Sequence, residues 1–175
     1  MVVVIVNGIP GSGKTTLARA LADALELPLF SKDSVKETLA DMLGPPPDGV
    51  TARQWSQRLG ATAGETLWTL LADARGGAVL ESPLLANLRP TVAAGLKRAQ
   101  VEDVHEVWCE VPLDVARRRY ERRAVDRHEV HDDGRVDDEQ WREWARQAQP
   151  LGLGPVHTVQ TTKAVDVARL VADIQ

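Results

Sequence analysis

Short apolar runs alternate with amphipathic segments along the whole 175-residue chain. Buried parallel strands read as continuous apolar, β-branched runs, whereas surface helices place apolar residues three and four positions apart. On these criteria the sequence predicts five strands, at 2–6, 27–30, 78–82, 104–111 and 156–160. Between and after them it predicts helices through Leu17–Leu25 and at about 34–43, 52–75, 89–100, from Pro112 onward, 137–148 and 164–174. Strands that alternate with helices predict an α/β fold in three layers, with a five-stranded parallel sheet and helices on both faces.

The long helix at 52–75 carries an apolar stripe formed by Trp55, Leu59, Ala63, Leu67, Leu70 and Leu71. This stripe is typical of a helix that packs on the core. The proline-rich loop 45–49 and the first part of the helix also form an insertion, approximately 45–64, between the second and third strands. We therefore keep open a role on the substrate side, in which Trp55 contacts the substrate.

Length and composition indicate one domain over 1–175, with 43% hydrophobic and 26% charged residues. The net charge of −4 argues against a general nucleic-acid binder. The sequence has no stretch of membrane-spanning length and no basic leader, so we expect a cytoplasmic protein. Its one cysteine, Cys109, excludes an internal disulfide and is expected to be a buried thiol in the fourth strand.

The strand at 2–6 is followed by a glycine-rich segment that matches G-x-x-x-x-G-K-[ST] from Gly8 to Thr15. Glycines allow backbone N–H groups to turn toward phosphate oxygens, and the following helix adds partial positive charge at its N-terminus. In this motif Lys14 reaches the β- and γ-phosphates, and the Thr15 hydroxyl is a ligand of Mg²⁺. The predicted nucleotide-binding residues here are Gly8, Pro10, Gly11, Ser12, Gly13, Lys14, Thr15 and Thr16.

Two acidic residues follow predicted strands at the sheet edge where doubly wound folds bind ligands. Asp33 comes after the second strand and is placed to accept a proton from a substrate hydroxyl, or else only to cap the next helix, as Ser34 also could. Glu81 ends the third strand, where an acid holds the water shell of Mg²⁺, although a carboxylate bonded only to the glycine-rich loop is the alternative. Arg89 opens the next helix and either faces a substrate or is a solvated surface residue.

Arginines are concentrated on the helix that follows Pro112. Arg119 and Arg123 are four positions apart and share a face, which Arg127 extends if the helix continues. Three guanidinium groups on one face suit the oxygens of a triphosphate, since each binds two oxygens and keeps its charge. The sequence thus predicts an arginine-bearing lid, approximately 124–150. The alternative is a solvated basic helix paired with nearby acids.

Taken together, these motifs resemble the P-loop small-molecule kinases with an adenylate-kinase-like core, over nearly the whole chain. Within them the sequence resembles both the chloramphenicol-phosphotransferase-like branch and the kinase domain of 5′-hydroxyl polynucleotide kinases, and Gly8–Thr15 and Lys32-Asp33 look more like the second group. The resemblance implies that Asp33 is the general base and that the Thr161-Thr162 turn, with Thr162 as a contact, lies near the nucleotide base. Glu81-Ser82-Pro83 departs from the Asp-containing strand end of the family.

The resemblance and the motifs together predict an ATP- and Mg²⁺-dependent kinase that phosphorylates a hydroxyl of an antibiotic, sugar or nucleoside-like molecule. Lys14, Asp33, Arg119, Arg123 and Arg127 are its predicted catalytic residues. The alternatives are a 5′-hydroxyl polynucleotide kinase, a nucleoside or nucleotide kinase, and a non-catalytic nucleotide-binding regulatory module.

Overall fold

The computed structural model describes residues 1–124, 127–131 and 136–175. Its five strands form one parallel sheet in the order β2-β3-β1-β4-β5. The strands are β1 Val2–Asn7, β2 Leu29–Ser31, β3 Gly77–Glu81, β4 Asp103–Glu110 and β5 Val156–Gln160. The helices of the described part are α1 Lys14–Leu25, α2 Lys32–Leu43, α3 Ala52–Asp73, α4 Arg89–Arg98, α5 Leu113–Arg122, α6 Asp138–Arg146 and α7 Val167–Ile174. The predicted α/β fold class is confirmed.

The sheet is covered on both faces because the side chains of β1 alternate between two cores. Val4 and Val6 pack with α1 and α7, through residues such as Leu21 and Leu170. Val3 and Ile5 point the other way and pack with α3 and α4, through Trp68, Leu71, Val92 and Leu96. Three layers follow from this alternation. Because all strands are parallel, the carboxyl ends of β1, β2 and β3 meet at one edge.

The buried face of α3 differs from the predicted stripe. Trp68 is 7% exposed and packs on α4, whereas Leu70 is 40% exposed. The reason is Gly95 on α4, which has no side chain at the position that the Trp68 ring covers. Trp55 is half-buried, and its indole N–H donates to the carbonyl of Gly44 at 3.1 Å. It therefore joins the start of α3 to the end of α2.

The ends of three elements correct or complete what the sequence predicts. Helix α2 begins at Lys32 with Ser31 as its N-cap, so Asp33 lies in the first turn and does not cap the helix. Helix α5 ends at Arg122, so the predicted row of arginines does not continue to Arg127 on one helix. Strand β2 begins at Leu29, and the carbonyl of Pro28, just before it, accepts a hydrogen bond from Val79.

The described parts of the predicted lid contain two short helical segments, and Trp141 of the second packs against Ile9 in the glycine-rich loop. A short 3-10 helix spans Glu129–His131, and α6 follows with Asp137 as its N-cap. Positions 125–126 and 132–135 of the predicted lid lie outside the described residues. Within the described ranges, no helix combines the length and the apolar character that crossing a bilayer requires.

Candidate active site

The glycine-rich loop connects β1 to α1 and packs closely on α5. Gly11 has φ +81°, and a Cβ atom there would lie 2.1 Å from the carbonyl oxygen of Ala116 on α5. Only glycine allows both the left-handed backbone and this approach. The loop is closed by a hydrogen bond from the N–H of Ser12 to the carbonyl of Ile9, at 3.1 Å. Its shape is thus fixed by the fold before any ligand arrives.

Lys14 is the cation of this loop. Its side chain is 7% exposed, and its ammonium group donates to the carbonyl of Ile9 at 3.0 Å. Burial lowers the pKa of Lys14, and the nearby carboxylates of Glu81 and Asp33 oppose that shift. The two predicted acids therefore both lie within electrostatic reach of the loop lysine.

Glu81 and Thr15 are brought together at the ends of β3 and of the loop. The carboxylate of Glu81 is 3% exposed and accepts hydrogen bonds from the hydroxyls of Thr15, at 3.3 Å, and Ser31, at 2.7 Å. One carboxylate and one hydroxyl fit Mg²⁺, which prefers oxygen ligands and keeps several of its waters. In the described part of the chain, no three His, Cys, Asp or Glu side chains come together in a group that could hold a metal ion.

Asp33 projects from the first turn of α2 between the loop and the lid segment. Its side chain is half-buried and has no hydrogen bond or ion pair to any described residue. Burial lowers the pKa of His131, and the Asp33 carboxylate acts against that shift, as it does at Lys14. The Asp33 carboxylate therefore lies within electrostatic reach of both Lys14 and His131.

A cavity of about 630 Å³ opens beside the glycine-rich loop, between α1, α5 and the turn after β5. Arg119 borders it and donates to the carbonyl of Thr161 at 2.9 Å. The Thr161 hydroxyl in turn donates to the carbonyl of Ser12 in the loop, at 2.6 Å. Thr161 lines this cavity, whereas Thr162 does not line it and is exposed. The Thr-Thr turn is therefore beside the loop as expected, but it contributes its first residue.

The other two arginines of the predicted lid take separate positions. Arg123 is the C-cap of α5 and borders the 630 Å³ cavity. The positive charge of Arg123, like burial, lowers the pKa of Lys14. The guanidinium of Arg127 lies 3.6 Å from the centre of the Tyr120 ring, which itself packs against the indole of Trp141. Arg119, Arg123 and Arg127 thus do not form the single row that the spacing predicts.

Two other arginines of α5 match the alternative of a solvated basic helix, whereas Arg122 borders the 630 Å³ cavity. Arg117 pairs with Glu121 and with Asp138, and Arg118 pairs with Asp114. All of these contacts are exposed, and pairs of this kind contribute little to stability.

A second cavity, of about 480 Å³, lies on the other side of the loop, between α2, α3, α4 and the end of β3. We call it the acceptor-side cavity. Its walls include Lys32, Lys36, Gly60, Gly64, Trp68, Ser82, Leu84 and Leu88. Neither Trp55 nor Arg89 lines it, so the structure does not bring these two predicted substrate residues to it. Arg89 instead reaches toward Gly152, and Trp68 is the aromatic residue of the cavity.

The lid segment Glu129–His131 sits on α2 and α3 next to this cavity. The carbonyl of Val130 accepts hydrogen bonds from Ser56, at 2.9 Å, and from the ammonium of Lys36, at 3.3 Å. The side chain of His131 is hydrogen-bonded to Glu37 on α2, with 2.9 Å between Nε2 and Oε1. The segment therefore covers one end of the acceptor-side cavity through contacts that the sequence pattern did not predict.

Asn7, the last residue of β1, holds the start of the loop in place. Its side-chain oxygen accepts from the N–H groups of Gly8, at 2.7 Å, and Leu84, at 2.9 Å. Its amide group donates to the carbonyl of Leu84 and to the buried carboxylate of Glu106, both at 2.8 Å. Sequence reasoning missed this pair. Its one signal is a polar residue at an otherwise apolar strand position, in Asn7 and again in Glu106.

Comparisons with solved structures give the same fold. A provisionally assigned kinase from Chloroflexus aurantiacus j-10-fl is 32% identical, with a TM-score of 0.83 over 99% of this chain and 96% of that chain. A gluconokinase from Sinorhizobium meliloti 1021 is 16% identical, with a TM-score of 0.58 over 98% of this chain and 87% of its own. A shikimate kinase from Acinetobacter baumannii, solved with shikimate, is 18% identical, with a TM-score of 0.62 over 98% and 89% of the two chains. At these lower identities the likeness shows the fold alone.

Among curated proteins the similarity is local. A cytidylate kinase from Pyrobaculum islandicum is 52% identical over 44 residues, which are 25% of this chain and 24% of that protein. The match thus spans about a quarter of the curated relative. The model of the family described as AAA domain, AAA_33, matches residues 3–151, which include the glycine-rich loop, both acidic strand ends and the arginine helix. This chain therefore belongs to the AAA domain family that the model describes.

Proposed function

We propose that this protein is a kinase that transfers the γ-phosphoryl group of ATP to a hydroxyl of a small molecule. The observation that carries the proposal is the position of Asp33. Its carboxylate has no partner among the described residues and lies within electrostatic reach of Lys14, the lysine of the glycine-rich loop. A carboxylate in this position is suited to accept a proton next to a bound phosphate.

ATP would occupy the glycine-rich loop and the 630 Å³ cavity beside it. The loop N–H groups and Lys14 would hold the β- and γ-phosphates, so the Lys14 ammonium would exchange the Ile9 carbonyl for phosphate oxygens. Arg119, fixed by the Thr161 carbonyl, would border the nucleoside. Thr15 and Glu81 would hold Mg²⁺ with its waters. When bound, that ion would neutralise phosphate charge.

The reaction forms a bond between the acceptor oxygen and the γ-phosphorus and breaks the bond between that phosphorus and the β–γ bridging oxygen. ADP leaves with the electron pair of the broken bond, and the hydroxyl proton passes to Asp33. Arg123, at the end of α5, and Arg127, in the lid of approximately 124–150, would approach the phosphates and neutralise charge in the transition state. Such arginines are worth about 10³-fold or more in rate. The insertion at approximately 45–64 would bound the acceptor side.

The test is ATP consumption with Mg²⁺ over a panel of hydroxyl compounds that includes sugars, chloramphenicol, aminoglycosides, nucleosides and a 5′-hydroxyl oligonucleotide. We expect one class of acceptor to raise turnover, and Asp33→Asn to abolish that rise while ATP still binds. Asp23→Asn, on the exposed face of α1, is the matched control and should behave as the parent. A folded Asp33→Asn variant that phosphorylates its acceptor at the parent rate would refute the proposal.

A second candidate is transfer to the phosphate of a nucleoside monophosphate, which the local similarity to cytidylate kinases favours. A phosphate acceptor is already ionised at neutral pH and needs no general base. CMP therefore belongs on the panel, and the Asp33→Asn variant separates the two chemistries. Transfer to CMP that survives this substitution would favour the second candidate over the first.

A further inference from the structure

The acceptor-side cavity holds more positive than negative charge. Lys32 lines it and has no hydrogen bond or ion pair to any described residue, although its side chain is partly buried. Lys36, which is 9% exposed, lines it as well and donates to Ser56 at 2.8 Å. Glu65 is the acidic residue among the described lining, and it is paired with Arg98 at 2.5 Å. An ammonium in such surroundings is poised to bind an anion.

The body of the cavity is apolar and open on one wall. Trp68, Leu84 and Leu88 form one side. On α3, the surface next to Trp68 is formed by Gly60 and Gly64, which are one helical turn apart. A Cβ atom at Gly64 would meet nothing within 4 Å, and one at Gly60 would come no nearer than 3.9 Å to the Lys32 ammonium. The absence of side chains on this turn of α3 therefore leaves space that a ligand can fill. The volume of about 480 Å³ is typical of a small-molecule site.

Ser82 provides a second, independent sign of a ligand. Its side chain is 2% exposed, and its hydroxyl has no hydrogen-bond partner among the described atoms. Buried hydroxyl groups are nearly always hydrogen-bonded, so an unpaired one in a cavity wall calls for a partner. Ser82 follows Glu81 directly, so this hydroxyl lies on the metal-side edge of the cavity.

We infer that the acceptor-side cavity binds a hydroxyl compound with an apolar, ring-sized body and a negatively charged group that pairs with Lys32. This inference rests on the proposed function and specifies its acceptor. The hydroxyl points toward Asp33, which follows Lys32 at the start of α2 but does not itself line the cavity, and the apolar body lies against Trp68 and the glycine turn of α3. The anionic group is a carboxylate or a phosphate monoester, which share the chemistry that an ammonium recognises.

The test uses three probes with the same hydroxymethyl-phenyl body: 4-(hydroxymethyl)benzoate, its neutral amide, and 4-(hydroxymethyl)phenyl phosphate. Binding is followed without nucleotide by the NMR signal of the Trp68 indole N–H, which the Trp68→Phe spectrum assigns. We expect at least one anionic probe to bind at least about fivefold more tightly than the amide, which is the ratio an ion pair of ordinary strength gives. The anion that binds more tightly identifies the carboxylate or phosphate class.

Two variants locate the effect. Lys32→Gln should remove most of the preference for the anion, whereas Lys32→Arg should retain it. Gly64→Leu should weaken all three probes because the new side chain fills the cavity, whereas Gly64→Ala should leave binding nearly unchanged. Thermal melting reports whether each variant is folded, as do the indole N–H signals of the tryptophans that do not line the cavity.

Equal binding of the anionic and neutral probes would overturn the inference, as would an undiminished preference in folded Lys32→Gln. Failure of all three probes to shift the Trp68 signal at 10-fold molar excess over millimolar protein would overturn it as well. None of these results depends on phosphoryl transfer. Anion binding through Lys32 together with Asp33-independent turnover would instead reject the proposed function and leave the binding site standing.

Discussion

The close contact between α3 and α4 leads to a prediction about the stability of Gly95→Ala, and Gly64 in the same chain offers a matched control position. In Gly95→Ala, the new Cβ would lie 2.3 Å from Cε2 of Trp68. Carbon atoms in ordinary contact are about 3.5–4.0 Å apart, so ring and helix must separate by roughly 1.2 Å or more. The ring is 7% exposed and is packed against the core, so it has little room to retreat. Gly64→Ala makes the same chemical change in a helix interior, but its Cβ meets nothing within 4 Å.

The two variants share the gain in helix propensity, which is roughly 0.5–1 kcal/mol for Gly to Ala. Overpacking costs about 1–3 kcal/mol more in Gly95→Ala. We therefore expect Gly64→Ala to be stabilised and Gly95→Ala to be less stable than Gly64→Ala by about 1–3 kcal/mol. Urea unfolding followed by far-UV circular dichroism measures both, and an unchanged m-value permits direct comparison.

The Trp68 indole signal gives a second readout, since the ring must shift in Gly95→Ala and should stay in place in Gly64→Ala. Equal stabilisation of the two variants, with the indole signal unchanged in both, would refute the reasoning. That result would mean that α3 and α4 are further apart than the Gly95–Trp68 contact described above requires. The wall that Trp68 contributes to the acceptor-side cavity would then be misplaced too.

Three further predictions concern the site. Glu81→Gln keeps a hydrogen-bond acceptor for Thr15 but loses the negative charge. The Mg²⁺ concentration for half-maximal ATP turnover should therefore rise at least about tenfold, whereas the melting temperature should stay that of the parent. Arg119→Ala should raise the KM for ATP several-fold because it removes the contact to the turn after β5, whereas exposed Arg118→Ala should leave it unchanged; equal effects would reject the assignment. Burial lowers the pKa of His131, so the folded state resists protonation there, and stability should be full above about pH 6.5 and fall below it. Urea midpoints between pH 7.5 and 5 should fall less in His131→Gln than in the parent, and identical slopes would contradict this.

The parts of the site that lie on or next to strands could be predicted from the sequence. Thr15 and Glu81 are 66 residues apart, yet parallel strands that end at one edge bring them to 3.3 Å. The apolar run of β1, the spacing of the glycines and the amphipathic pattern after them all predict the same strand–loop–helix unit. Local pattern and topology agree here, which is the condition for a reliable prediction.

The contacts that the sequence did not reveal depend on which face a residue takes. The threonine that borders the 630 Å³ cavity is Thr161 and not Thr162. Neighbouring side chains of an extended segment point in opposite directions, so an error of one position changes which residue faces the cavity. On α3, the choice between Trp68 and Leu70 depends on Gly95 of another helix, which periodicity cannot show. The position of Trp55 near a loop predicts a contact with substrate, but its indole N–H donates to the carbonyl of Gly44 and holds two helices together.

The amide side chain of Asn7 links the two halves of the site. Asn7 accepts from the N–H of Gly8, at the start of the nucleotide loop, and from the N–H of Leu84, on the wall of the acceptor-side cavity. Glu106 fixes the amide orientation from the opposite side and also accepts from the backbone of Leu151 and Gly152, just after α6. In-line transfer tolerates little error in the distance between donor phosphate and acceptor. A link that is buried and fully hydrogen-bonded holds that distance more firmly than separate loops would, so the polar residues of β1 and β4 position the site although they touch neither cavity.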